Sequence, residues 1–237
     1  MTITSSHNEK LKEIRKLARR RARDESGRFV AEGEDLVSAA AASGWRPVHL
    51  LNAAGSGLEG DEVEGALLAG VSGLGSGTRQ LGVYSARWSA PRGPLCVALW
   101  GVGDPGNVGT IVRSALAFGA ASVVVGPGCA DPFGPKAVRA SMGAIFAVPL
   151  ARVSTVEELP GERVALVAGA GAALAAPADG ETTLVVGAER DGLAPAVVGA
   201  CDRVAHIPIA SESLNAAMAA TVALYELTRG GASTWQG

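Results

Sequence analysis

Three short stretches of the chain gather residue types that packing alone does not explain. The first is Asp104-Pro105-Gly106-Asn107-Val108-Gly109 with Arg113. The second is Pro135-Lys136-Ala137-Val138-Arg139-Ala140-Ser141-Met142-Gly143-Ala144. The third is Gly187-Ala188-Glu189-Arg190-Asp191-Gly192, followed by Ile207-Pro208-Ile209 and Ser213-Leu214-Asn215. Lys136 and Arg139 lie three apart on a short helix opened by Pro135, so they project together and could clamp a phosphate. The small residues Ser141 to Ala144 permit close approach of a ligand or another backbone. Ile207, Pro208 and Ile209 offer the apolar walls and fixed backbone that an adenine ring needs. Ser213 and Asn215 stand at the mouth of a helix, where free N–H groups favour anions. The pattern suits a nucleotide-like ligand beside a phosphate-bearing substrate.

These groups need a scaffold that brings distant loops together. Leu95-Cys96-Val97-Ala98-Leu99-Trp100, Ser122-Val123-Val124-Val125 and Thr183-Leu184-Val185-Val186 are unbroken apolar runs of strand length. Such runs fit a parallel sheet covered on both faces. Each precedes a glycine-bearing loop and a helical pattern, as βαβ units require. The loops should meet at the carboxyl edge of the sheet, where open α/β sheets bind ligands. Asn107 is expected at a helix N-terminus, with Arg113 six positions on. Six positions turn a helix by about 240°, so the two side chains face different ways and do different jobs. The last helix is predicted over Ser213 to Arg229, with Ser213 as N-cap and Gly230-Gly231 after it. Its stripe of Leu214, Met218, Val222 and Tyr225 faces a core or a partner.

Gly101-Val102-Gly103-Asp104-Pro105-Gly106 is also a literal G-x-G-x-x-G between a strand and a helix, the setting of a dinucleotide-binding fingerprint. An NAD-binding oxidoreductase using Gly101, Gly103 and Gly106 is therefore a rival reading. Against it, the next strand ends at Val125-Gly126-Pro127, without the carboxylate that should hold the ribose hydroxyls.

The chain has 237 residues and is 48% hydrophobic, ample for a packed core. Apolar stretches fall short of the ~20 residues needed to cross a bilayer, and the polar start lacks a signal-peptide pattern. Cytoplasm is the expectation. Cys96, Cys129 and Cys201 are odd in number and scattered, as are His7, His49 and His206, so neither a disulfide framework nor a metal site is expected. A net charge of −2 hides an asymmetry: residues 1–30 hold 9 basic and 4 acidic side chains, the remainder 12 and 19. Attraction to a polyanion is thus concentrated at one end. There Leu11, Ile14 and Leu17 recur at helical spacing within 9–23, giving an amphipathic helix with a cationic side that includes Arg19, Arg20 and Arg21. A short strand at Phe29 to Ala31, a helix over 34–43, a strand from Pro47 to Leu51, a helix over 62–68 and a strand from Leu81 to Ser85 complete a small α/β unit. Arg87 to Pro94 reads as a linker, giving domains 1–86 and 94–237.

In order and local spacing the three motifs resemble the signature motifs of the SPOUT methyltransferases, in the TrmH-like branch that methylates ribose 2′-hydroxyls. The resemblance covers residues 94 to 230, and the first 85 residues are similar to the ribosomal-protein-like RNA-binding domain that many members carry in front. It implies a parallel-sheet catalytic domain with a trefoil knot, S-adenosylmethionine as cofactor and a homodimer. It also implies RNA as substrate, with 23S rRNA a better fit than tRNA. Asn107, Arg113, Glu189, Ser213 and Asn215 match the family's catalytic positions; Gly187, Ile207, Ile209 and Leu214 match its cofactor pocket. Arg19, Arg20, Arg21, Lys136 and Arg139 are the expected RNA contacts. The loop Ala210-Ser211-Glu212 is shorter than the family often has. A guanidinium with a pKa above about 12 resists deprotonation, so Arg113 is expected to bind the adjacent phosphate and stabilise alkoxide charge. An RNA-binding protein of this fold without turnover is the remaining alternative.

Overall fold

The computed structural model describes residues 2–73, 77–175 and 180–229. They form two compact units: residues 1–87 with 131–147, and residues 88–130 with 148–237.

In the first unit, Leu11, Ile14 and Leu17 are buried along one face of α1 (Glu9–Leu17). The helix expected to run on to residue 23 instead breaks. Arg23 sends Nη1 to the carbonyls of Leu17 (2.8 Å) and Ala18 (3.0 Å), so the end of α1 is capped by a side chain, and α2 (Arg20–Ser26) starts anew. Next come β1 (Arg28–Glu32), α3 (Glu34–Ala42), β2 (His49–Ala53), β3 (Asp61–Val63), α4 (Gly65–Ala69) and β4 (Gln80–Ser85). The sheet order is β1-β4-β2-β3, antiparallel except between β2 and β3. The helix expected over 62–68 is a correction. Val63 is fully buried and pairs in the sheet, Ile3 bonds to the Glu62 carbonyl at 2.7 Å, and helix begins only at Gly65. Tertiary pairing here overrides the local pattern.

The second unit begins with β5 (Leu95–Leu99), α5 (Pro105–Ala117) and β6 (Ser122–Val125). The chain then returns to the first unit as α6 (Pro135–Ala140) and α7 (Ala144–Ala147). Aromatic packing explains that return. Phe133 lies 4.7 Å from Phe29, Phe146 lies 5.2 Å from both Tyr84 and Trp45, and Trp45 Nε1 donates to the Phe146 carbonyl at 2.8 Å.

The second unit then resumes with β7 (Leu150–Arg152), β8 (Glu162–Leu166), β9 (Ala172–Ala173), β10 (Thr182–Val186), α8 (Pro195–Gly199), β11 (Arg203–His206) and α9 (Ala216–Thr228). Its seven strands run in the order β7-β6-β5-β10-β8-β11-β9, and every pair is parallel. The three apolar runs are β5, β6 and β10, and β6 and β10 are buried along their whole length. The parallel α/β class expected from the sequence is therefore the class found. Of the last helix, Gly230-Gly231 lies outside the described residues. Its N-cap is Asn215 rather than Ser213: Asn215 Oδ1 accepts from the N–H groups of Ala217 (2.9 Å) and Met218 (3.3 Å). Alanines and leucines form its buried face, while Met218, Val222 and Tyr225 are 59%, 41% and 55% exposed.

Candidate active site at the carboxyl edge of the parallel sheet

Strands β5 and β10 are adjacent and in register, with Leu99 opposite Val186, so the loops that follow them emerge side by side. From the first loop rises α5, whose start is set by Asp104. Its carboxylate accepts from the N–H groups of Gly106 (2.6 Å) and Asn107 (3.2 Å), and Pro105 fills the position that needs no N–H partner. The same bonds correct the dinucleotide reading. A pyrophosphate would need the N–H groups at this helix mouth, and here a carboxylate already occupies them.

Asn107, fixed in the first turn, donates through Nδ2 to Glu189 Oε1 in the loop after β10. Its Oδ1 accepts from Asn215 Nδ2 at 3.1 Å. The amide orientations follow from the chain of donors. Asn215 Oδ1 must face the helix N–H groups it caps, so its Nδ2 faces Asn107 Oδ1, and Asn107 presents its own Nδ2 to the carboxylate. Three residues 26 to 108 positions apart in sequence are thus one network that holds Glu189 at the mouths of α5 and α9. Asp104 carries this arrangement and had no role in the sequence reading, although an Asp-Pro pair before a helix is a legible cap signal.

Beside the network lies a cavity of about 260 Å³, near the lower end of the range for ligand pockets. Gly187, Ile207, Ile209 and Leu214, the four expected cofactor-pocket residues, line it, as do Glu189 and Ser213. Leu166 and Val167, at the end of β8, and the carboxylate-bearing Asp191 add to the wall and were not anticipated. The loop closes on itself through paired backbone bonds between Ala188 and Gly192 (3.2 and 3.1 Å), with Gly192 at φ +62°. Gly187 has no room for a side chain: a Cβ there would sit 2.4 Å from the Gly192 carbonyl carbon.

The remaining candidates are neither members of this hydrogen-bond network nor lining residues of this cavity. Arg113 is exposed and, among the described residues, makes no hydrogen bond or ion pair; nor does it line the cavity. The angular separation from Asn107 is realised. Its neighbour Ser114 turns the other way, to Thr221 of α9 at 2.7 Å. Lys136 is exposed and Arg139 half-buried on α6, in the first unit. Arg19, Arg20 and Arg21 are exposed at the start of α2, with Arg20 and Arg21 facing Asp24 and Glu25 at 3.7 and 2.7 Å.

Residues 94–225 match the model of the SpoU rRNA Methylase family. The chain belongs to that family. Residues 8–72 match the MRM3-like substrate binding domain. Within the SpoU family the chain is similar over nearly all of its length to the 23S rRNA (guanosine(2553)-2′-O)-methyltransferase RlmP of Bacillus subtilis, 31% identical over 95% of this chain and 98% of the relative. Among solved structures, the AdoMet-bound rRNA methyltransferase of Sinorhizobium meliloti superposes with a TM-score of 0.85 at 30% identity, covering 98% and 99% of the two chains. AviRb of Streptomyces viridochromogenes, a SpoU methyltransferase in complex with AdoMet, gives 0.84 at 28% identity, covering 94% and 98%. The chain spans about half the length of other curated relatives, such as an uncharacterized tRNA/rRNA methyltransferase of Mycobacterium tuberculosis, 39% identical over 56% of this chain and 51% of the relative.

Proposed function

We propose that the protein transfers a methyl group from S-adenosylmethionine to a ribose 2′-hydroxyl of RNA, with large-subunit rRNA as substrate, and that it works in the cytoplasm as a homodimer. One observation carries this reading: the cavity at the carboxyl edge is walled by Gly187, Ile207, Ile209 and Leu214 and bordered by Glu189, which Asn107 and Asn215 hold in place. The relatives named as 23S rRNA 2′-O-methyltransferases and the AdoMet-bound neighbours support it. The residues fit the cofactor. Leu166, Val167, Ile207, Ile209 and Leu214 give an adenosine apolar walls, and the absence of a Cβ at Gly187 lets the backbone of Gly192 and Leu193 fold back against it and close the loop that borders the cavity. Glu189 and Asp191 add negative charge to the cavity lining, which suits a cationic sulfonium.

S-adenosylmethionine, held by Gly187, Ile207, Ile209 and Leu214, would supply an electrophilic methyl for the ribose 2′-oxygen, with S-adenosylhomocysteine as the leaving group. The chain's work is mostly positioning, which can contribute effective molarities on the order of 10⁵ M or more. Asn107 and Asn215 keep Glu189 from swinging out of the pocket mouth. Arg113, a permanent cation with no hydrogen bond or ion pair among the described residues, binds the phosphate beside the target ribose and stabilises charge developing on the 2′-oxygen. Its exposure fits a site completed across a two-fold contact. Leu116 on α5 and Met218, Val222 and Tyr225 on α9 are exposed large apolar side chains, and Phe118 meets Tyr225 with ring centroids 6.3 Å apart, so the two helices share one apolar outer face. A knotted C-terminal segment and an RNA-binding role for the first unit belong to the same proposal.

Calorimetry with S-adenosylmethionine and with NAD, paired with methyl incorporation into rRNA, tests the reading. Binding of the first alone, with incorporation, is expected. Binding of NAD, or cofactor binding without incorporation, would overturn it.

A further inference from the structure

Arg23 and Asp131 are 108 positions apart in sequence and meet as a buried ion pair inside the first unit, Nε to Oδ2 at 2.7 Å, with side chains 8% and 7% exposed. Each partner also organises the start of a helix. Arg23 Nη1 holds the carbonyls of Leu17 and Ala18 and so fixes the corner from which α2 leaves with Arg19, Arg20 and Arg21. Asp131 Oδ1 accepts from the Phe133 N–H at 2.9 Å, and its carbonyl accepts from Gly134 at 3.1 Å. Those bonds shape the turn into α6, where Lys136 is the second residue. Two sets of cations far apart in the chain are therefore anchored through one contact.

Stability does not account for such a pair. Burying two charges costs several kcal/mol each, and an apolar pair of similar volume is commonly as stable or more so. Fixed orientation is what the fork-shaped guanidinium adds and an apolar pair lacks. We propose that Arg23 and Asp131 are positioning residues for RNA: their contact sets the register between the arginines of α2 and Lys136 of α6, so that both meet phosphates of one RNA strand. The inference rests on the RNA substrate proposed above. Arg20 and Arg21 face Asp24 and Glu25 with 59% and 90% of their own side chains exposed, and such surface pairs yield readily to a phosphate.

The test uses the full chain and a large-subunit rRNA transcript, with Arg23→Met/Asp131→Leu as the variant. Expected are a folded protein with a lowered melting temperature, since the Leu17 and Ala18 carbonyls and the Phe133 N–H lose their side-chain partners, an unchanged KM for S-adenosylmethionine, and kcat at saturating RNA within about twofold. The KM for RNA should rise about tenfold, and the slope of log K against log salt should flatten by about one phosphate contact. A folded double variant with wild-type RNA KM and salt slope overturns the proposal. If that variant does not fold, Asp131→Asn keeps an acceptor for Phe133 and removes the charge; the same RNA shift is expected, and a wild-type salt slope refutes it. RNA binding decides the role of the pair on its own, whereas a wild-type protein that binds the transcript without methylating it counts against the proposed function instead.

Discussion

Substituting Gly187 by alanine is expected to separate the cofactor pocket from the fold that supports it. The added Cβ would sit 2.4 Å from the carbonyl carbon of Gly192, 2.6 Å from its oxygen and 2.7 Å from the Leu193 nitrogen. All three are backbone atoms, so no rotamer change relieves the overlap. Reaching an ordinary contact of 3.4 Å requires a shift of about 1 Å. Gly187 follows β10, which is buried along its length between β5 and β8, whereas the 188–192 loop is closed by the two bonds between Ala188 and Gly192. The loop must therefore move, taking the positions of Glu189 and Asp191 with it. Overpacking of this kind costs about 1–3 kcal/mol. Where the loop can relax in the free protein, that cost falls on cofactor binding, a loss of about 5- to 150-fold in affinity for S-adenosylmethionine. Gly199→Ala is the control: nothing lies within 4 Å of its Cβ, and alanine in α8 should stabilise slightly. Calorimetric Kd and melting temperature would be measured together. An affinity within twofold of wild type for Gly187→Ala would refute the reasoning.

Three further outcomes are expected. Arg113→Ala should lower kcat by about 10² to 10³ while leaving cofactor affinity within about twofold, since Arg113 does not line the cavity; equal losses in both would place it in the pocket instead. Asn215→Ala should lose about 1 kcal/mol of stability in urea unfolding along with activity. Asn215→Ser keeps a capping oxygen but cannot reach Asn107, so it should retain stability and still lose activity. Tyr84 is buried and desolvation pushes its phenol up to about 12, above the ordinary value near 10. The folded state then holds the proton more tightly than the unfolded chain, so this contribution is intact below pH 10 and lost as pH rises toward 12, by about 2–3 kcal/mol in all. Comparing Tyr84→Phe with wild type in alkaline urea titrations isolates it; parallel stability curves would contradict the assignment.

What was legible in the sequence followed from local patterns with strong physical signatures. Strands β5, β6 and β10 are mostly apolar because both faces of the sheet are covered, and the gathering of Gly187, Ile207, Ile209 and Leu214 around one cavity follows once their loops share a sheet edge. Strand β8 escaped because Glu162 and Arg163 at its exposed end break the apolar run. The return of residues 131–147 to the first unit rests on Phe133, Phe146 and Asp131 finding Phe29, Trp45 and Arg23, contacts that no periodicity encodes. The break after α1 has the same cause, since the side chain that caps it comes from the next helix. The outer face of Met218, Val222 and Tyr225 could not be told from a core stripe by spacing, because helical periodicity identifies a face and not what covers it.

The central claim is tested most directly by nucleoside mass spectrometry of large-subunit rRNA incubated with the wild-type protein and isotopically labelled S-adenosylmethionine. The account predicts label in a 2′-O-methylated ribose, produced by wild type and reduced at least about a hundredfold in rate by Arg113→Ala. Label on a base, or on no nucleoside at all with the cofactor bound, would contradict it.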